Sequence, residues 1–187
     1  TGSPLSLGIM AAIQYLPSVL FGLHAGVIVD RVDRRRMMIG VDIARAALVG
    51  SIPVAQAVGA LSAPWLYLVA LATSSLAVLF AAGRVAAVPA LVGKDGDLAT
   101  ANGRLTASYY AATLIGPALG GLLLLRIDTP SLIALDALSF AVSAAALSSV
   151  RASFAGSQRG SRSSVRSDIA EGLRFVLGHP ILRTLAI

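Results

Sequence analysis

The sequence predicts an all-α, polytopic bundle of transmembrane helices, and three observations lead to that fold class. Of 187 residues, 56% are hydrophobic and 13% are charged, which is about half the charged share of soluble domains. Apolar stretches reach the roughly 20 residues that a helix needs to cross a bilayer. Arginines lie in the links between these stretches, as in multi-pass membrane proteins. The predicted spans are residues 7–29, 37–58, 65–88, 105–125 and 131–150.

Composition also excludes several classes of protein. The apolar stretches are too long and too uniform for barrel strands, which alternate over about 10 residues. Without cysteine there is neither a disulfide nor a thiolate metal site, and His24 and His179 are too far apart for metal-ligand spacing. The net charge of +6 suits a lipid surface rather than nucleic acid, because the charges follow membrane spans. No catalytic cluster stands out, so we expect neither an enzyme nor a cofactor or metal.

The links alternate in charge along the chain. Residues 31–36, 93–104 and 151–167 carry most of the basic side chains, whereas residues 59–64 carry no charge. Because Lys and Arg concentrate on the cytoplasmic side, we expect the N-terminus outside and the C-terminus inside. Since no signal peptide is visible, a preceding helix would complete an even bundle of six.

The C-terminal part has a different composition. Residues 151–167 are rich in Ser, Arg and Gly and predict a flexible cytoplasmic linker. Residues 168–179 place apolar side chains on one helix face, which predicts an interfacial amphipathic helix. Residues 180–187 predict the start of a further span that is cut off.

A charged motif follows the first predicted span. Its residues are Gly26, Asp30, Arg31, Asp33, Arg34, Arg35 and Arg36. The motif resembles the cytoplasmic signature Gly-x-x-x-Asp-Arg-x-Gly-Arg-Arg of the major facilitator superfamily, with Asp33 where the general pattern has Gly. That variant resembles the branch of drug, macrolide and siderophore exporters, in which this loop holds the cytoplasmic side closed. The alternative is membrane anchoring by arginines alone.

A second motif lies in the fourth predicted span. It consists of Gly116, Pro117, Gly120 and Gly121 and resembles the Gly-Pro-rich motif of exporters in the same superfamily. Pro117 permits a kink, and the glycines make a flat face for a partner helix. Ordinary small-residue packing is the alternative.

The resemblance implies a fold and a function. The spans would be helices two to six of the N-terminal half of a major facilitator fold, with the first helix and the C-terminal half as missing partners. Gly26, Arg31 and Asp33 match Gly121, Arg126 and Asp128 at constant offset, as inverted three-helix repeats would. The implied function is proton-coupled efflux of a small hydrophobic substrate across the inner membrane by alternating access. A non-transporting scaffold or degenerate remnant is the alternative.

Four charged residues fall inside the predicted spans: Asp42, Arg45, Arg84 and Asp136. Such charges are costly in lipid and often functional. Asp42 and Arg45 share a helix face and suit either structural pairing or gating. Arg84 roughly matches a basic position of the family that assists proton coupling. Asp136 suits proton coupling or a hydrogen-bonded role without chemistry.

Overall fold

The computed structural model describes residues 4–93 and 96–150. Within them the chain forms five α-helices and no strand. The helices are α1 (Pro4–Arg31), α2 (Arg34–Ala57), α3 (Ala63–Val92), α4 (Leu98–Leu124) and α5 (Thr129–Ser149). The linker, interfacial helix and further span predicted for residues 151–187 lie outside the described residues.

The helices have the length and hydropathy of membrane spans. Four of them, α2 to α5, each qualify singly, and α1 qualifies as a bent pair, Ala11–Gly22 and His24–Arg31, with 60° between its parts. Many large apolar side chains are exposed on the outside of the bundle, among them Val19, Val85 and Leu114. An apolar exterior is what a lipid environment favours, since nothing there needs hydration. The protein is therefore a multi-pass membrane protein with an all-α fold.

The bundle packs through small side chains. Helix α2 lies against α5 and α3, and α1 lies against α3. The buried apolar residues are mainly Ala and Val, such as Ala25, Val29 and Ala137, and Gly50 approaches Ala137 closely. Without a hydrophobic force between helices in lipid, close contact of small residues supplies the attraction. Helix α4 differs, because it has no buried residue and touches α3 and α5 only sparsely.

The proline inside α1 has a hydrogen-bonding consequence. Pro17 is fully buried inside the helix, and it has no N–H to donate to the carbonyl of Ile13. The Ser74 hydroxyl of α3 lies 3.3 Å from that carbonyl oxygen, and its single proton has a closer acceptor in the Ala70 carbonyl oxygen of its own helix at 2.7 Å. A neighbouring helix thus brings a polar group to the carbonyl that the proline leaves free, in a part of the membrane where water is absent.

Helix α4 begins earlier than its predicted span. Residues 98–104 were expected in a link, but the helix starts at Leu98 because Asp97 caps it, accepting from the N–H groups of Ala99 and Thr100. The Thr100 hydroxyl also donates to this carboxylate. Together with the backbone N–H groups, that hydroxyl holds the pKa of Asp97 below its usual value. Hydropathy marks where a helix enters lipid, whereas capping marks where it begins.

The repeated residues occupy matching places in the fold. Asp33 is the N-cap of α2 and Asp128 is the N-cap of α5. Gly26 and Gly121 lie in the last turns of α1 and α4. The offset is 95 residues at each position, but only the Asp33 carboxylate caps its helix with a hydrogen bond, since the Asp128 side chain makes none.

Candidate functional site

The charged motif occupies the turn between α1 and α2, and Asp33 determines how α2 begins. The Asp33 carboxylate accepts from the backbone N–H of Arg36 at 2.9 Å, and its backbone is extended, with φ −65° and ψ 108°. Both are features of an N-cap. A glycine cannot cap with a side chain, so the departure from the general family pattern has a structural use here.

The next two arginines connect α2 to two different helices. Arg34 Nη1 donates to the Ala86 carbonyl oxygen of α3 at 2.9 Å. Arg35 Nε donates to the Leu147 carbonyl oxygen of α5 at 2.9 Å, and its Nη2 donates to that of Ser148. Leu147 and Ser148 lie in the last turn of α5, where a cation complements the helix dipole, whereas Ala86 lies six residues before the end of α3. One short loop therefore fixes α2, α3 and α5 together at one end of the bundle.

The remaining motif residues face outward. Asp30 accepts from Arg34 Nη2 at 3.4 Å while its own side chain is 73% exposed. Arg31 and Arg36 are exposed, and a Cβ added at Gly26 would meet nothing within 4 Å. The motif thus has an inner half, Arg34 and Arg35, that packs on the bundle and an outer half that is accessible.

Three of the four intramembrane charges lie on α2 and α5, which pack on each other. Asp42 is 1% exposed, and Arg45 lies with its Cζ 4.2 Å from the centre of the Phe140 ring. The charges of Asp42 and Asp136 both act on Arg45. Asp42 Oδ2 and Arg45 Nε are buried and have no hydrogen-bond partner. This charge cluster is defined as Asp42, Arg45 and Asp136. Asp42 and the Arg45 Nε are buried and incompletely satisfied, which is costly without a function, whereas Asp136 is exposed toward the groove beside α4.

The fourth intramembrane charge lies elsewhere. Arg84 is half-buried on α3, and its Cζ is 5.9 Å from the centre of the Tyr109 ring on α4. It lines a pocket of about 250 Å³ between these helices. Arg84 is therefore not part of the charge cluster.

The Gly-Pro motif faces an open groove. Gly116 and Gly120 of α4 line a space of about 690 Å³ together with α5 residues that include Asp136 and Ser139. Cβ atoms added at Gly116, Gly120 and Gly121 would meet nothing within 4 Å. The partner helix predicted for this motif is thus not one of the described helices, and its packing role stays a prediction.

Sequence reasoning missed two contributors to these sites. Phe140 follows Asp136 by one helical turn, so its place beside Arg45 could have been found from that spacing. The carbonyl acceptors Ala86, Leu147 and Ser148 carry no sequence signal, because every residue has a carbonyl.

Among the described residues no group of three His, Cys, Asp or Glu side chains could hold a metal ion.

Comparison with known proteins agrees with this architecture. The family model of the Major Facilitator Superfamily matches residues 1–187, so the chain belongs to this superfamily. It is 32% identical to the multidrug efflux pump Tap of Mycolicibacterium fortuitum, over 100% of this chain and 47% of that protein. It is 31% identical to the protein of the same name of Mycobacterium tuberculosis, over 100% and 46%. Macrolide efflux protein A of Streptococcus pyogenes is 28% identical, over 81% and 37%.

The chain spans about half the length of the curated relatives that it matches along its full extent. No solved structure shows significant similarity to it.

Proposed function

We propose that the complete protein containing this chain is a proton-coupled exporter of small hydrophobic molecules that works by alternating access in the inner membrane. Membership of a transporter superfamily and relatives named as multidrug and macrolide efflux proteins support this proposal. The main supporting observation is the charged motif between α1 and α2, in which Arg34 and Arg35 donate to carbonyls of α3 and α5.

These hydrogen bonds suit rigid-body motion. Alternating access needs one group of helices to rock against another without loosening internally. Arg34 and Arg35 connect three of the five helices at one end, so those helices respond together. Asp30, exposed at the end of α1, is placed to make a charged contact with another part of the protein when that end closes.

The charge cluster is our candidate for proton coupling. With both carboxylates ionised and Arg45 protonated the cluster carries a net charge of −1, and one proton neutralises it. In a low-dielectric site this change of one charge alters the electrostatic energy strongly. The unpaired Asp42 Oδ2 is an atom at which the proton could bind. Binding or release of this proton would alter how α2 packs on α5.

We also assign the groove between α4 and α5 to a further helix of the complete protein. The 95-residue repeat relates α1 and α2 to α4 and α5, and α3 packs on both members of the first pair. The second pair has an open groove in the corresponding place. By the same repeat, a helix equivalent to α3 would fill it, as the relatives' greater length allows. The other half of the transporter would be a second partner.

Drug accumulation in cells that lack their own efflux pumps tests the proposal. The complete reading frame that includes these 187 residues should lower the accumulation of a dye or macrolide. Asp30→Asn should abolish that effect at unchanged expression. Asp97→Asn, which makes the same change in charge at an exposed helix cap, should leave it intact.

The competing function is a membrane scaffold or a degenerate transporter that moves nothing. Unchanged accumulation of all dyes, macrolides and siderophores, with the protein well expressed in the membrane, would favour that function. Equal loss of transport in Asp30→Asn and Asp97→Asn would argue against a specific role for the charged motif.

A further inference from the structure

The pocket between α3 and α4 contains the cation Arg84, and none of the described residues that line it is a carboxylate. Arg84, Asn102, Thr106, Tyr109 and Tyr110 line it, with Val85 and Leu105 as its apolar wall. Within the described part of the chain, the contact found for the Arg84 guanidinium is the Tyr109 ring, and no carboxylate lines the pocket. A guanidinium has five N–H donors, and placing them inside the hydrocarbon region without an acceptor is unfavourable.

The other lining side chains add polar groups that suit an anion. Asn102 contributes amide donors, and Thr106, Tyr109 and Tyr110 contribute hydroxyl donors. Asn102, Leu105, Thr106, Tyr109 and Tyr110 recur at helical spacing, so one face of α4 turns toward Arg84. Asp97, at the start of α4, accepts within its own helix cap.

The depth of the pocket indicates what kind of anion reaches it. Helix α3 has 30 residues, which makes it about 45 Å long, against about 30 Å of hydrocarbon. Arg84 lies eight residues before the end of the helix at Val92, roughly 12 Å along the axis. A centred helix would therefore place Arg84 about 5 Å inside the hydrocarbon boundary, within reach of a lipid phosphate.

We propose that this pocket binds a phosphate-type anion, with Arg84 as the charged ligand and Asn102 and Thr106 as hydrogen-bond donors. Basic pockets between transmembrane helices bind anionic lipid headgroups, and the apolar wall of Val85 and Leu105 suits the start of an acyl chain. The site does not depend on the proposed efflux activity, because it is defined by binding alone.

Native mass spectrometry of the complete detergent-solubilised protein tests the proposal, with phosphatidylglycerol and phosphatidylcholine as probes. The wild-type protein should bind one phosphatidylglycerol tightly and show no matching phosphatidylcholine site. Arg84→Gln should weaken that binding about tenfold or more, the usual worth of a charged hydrogen bond. Arg104→Gln removes an exposed cation from the same end of α4 and should bind like wild type.

Two further measurements distinguish the possible explanations of this result. Thr106→Val retains the charge and should weaken phosphatidylglycerol binding by a smaller factor, while a monodisperse elution profile verifies folding. Adding inorganic phosphate separates a lipid source from a dissolved one: competition at millimolar phosphate would assign the site to a soluble anion of the same chemistry. Equal binding in wild type and Arg84→Gln, or equal loss in Arg84→Gln and Arg104→Gln, would overturn the proposal.

Discussion

At the scale of single residues, the loop arginines show how identical side chains acquire different roles. Arg34, Arg35 and Arg36 are consecutive, yet the first donates to α3, the second donates to α5 and the third is 88% exposed. The helical rotation of 100° per residue explains this, because successive side chains at the start of α2 point in different directions. Sequence could predict a basic loop with this signature, but not which carbonyls its guanidinium groups reach.

A comparison of two neighbouring variants tests this division of roles. Arg35→Gln removes two hydrogen bonds to the C-terminal carbonyls of α5 and should cost about 1–2 kcal/mol, or roughly 2–8 °C in melting temperature. Arg36→Gln should change the melting temperature by less than about 1 °C, since the exposed ion pair between Arg36 and Asp33 contributes little to stability. Thermal unfolding in detergent measures both, and equal losses in the two variants would contradict the assignment of Arg35.

The Asp97 cap predicts a dependence on acid. Its pKa is lowered in the folded protein, so the stabilisation that it gives is present above the unfolded pKa of about 3.9. It is lost as the pH falls through the lower folded pKa. Asp97→Asn keeps a good capping side chain without a titrating group. The gap in melting temperature between wild type and Asp97→Asn should narrow below about pH 4, and a gap that stays constant from pH 7 to pH 3 would contradict this.

At the scale of elements, the proline of α1 acts through a second helix. Pro17 frees the Ile13 carbonyl, and the hydroxyl of Ser74 in α3 lies 3.3 Å from its oxygen. Sequence could locate Pro17 inside a span, but not the serine 57 residues later that compensates for it. The helices themselves were predictable from hydropathy, whereas interhelical hydrogen bonds depend on rotation and depth, which hydropathy does not encode.

A double-mutant cycle measures this contact between α1 and α3. Ser74→Ala should destabilise the wild-type protein by about 0.6 kcal/mol, a usual value for interhelical hydrogen bonds in membranes. In a Pro17→Ala background the alanine N–H can satisfy Ile13, so the same substitution should cost less. Additive effects in the cycle would show that the two residues are independent.

The crossing of α2 and α3 depends on one glycine. A Cβ at Gly83 would lie 2.6 Å from Met37 Cε and 3.1 Å from Met38 Cγ, so a larger side chain must displace the two methionine side chains from the contact. Gly83→Leu should cost about 1–3 kcal/mol through overpacking. Gly40→Leu is the matched control, because a Cβ there meets nothing within 4 Å. Similar melting temperatures for the two variants would contradict this packing.

At the scale of the whole molecule, the fold is unevenly packed. Helices α1, α2, α3 and α5 bury residues against one another, whereas α4 buries none. The 95-residue repeat explains the imbalance if a further helix fills the groove between α4 and α5. The signature motif and the Gly-Pro motif made the superfamily predictable from sequence. The convergence of Asp42, Arg45 and Asp136 was not, because it requires residues 91 positions apart to meet across α2 and α5.

We propose that the complete protein uses a proton gradient to export small molecules and that the charge cluster takes part. The most direct measurement is dye transport by the purified protein in proteoliposomes, with and without an imposed pH gradient. We predict transport that requires the gradient, disappears in Asp42→Asn and persists in Asp128→Asn, which changes an exposed cap residue of α5. Transport of equal rate without a gradient, or unchanged by Asp42→Asn, would contradict the claim.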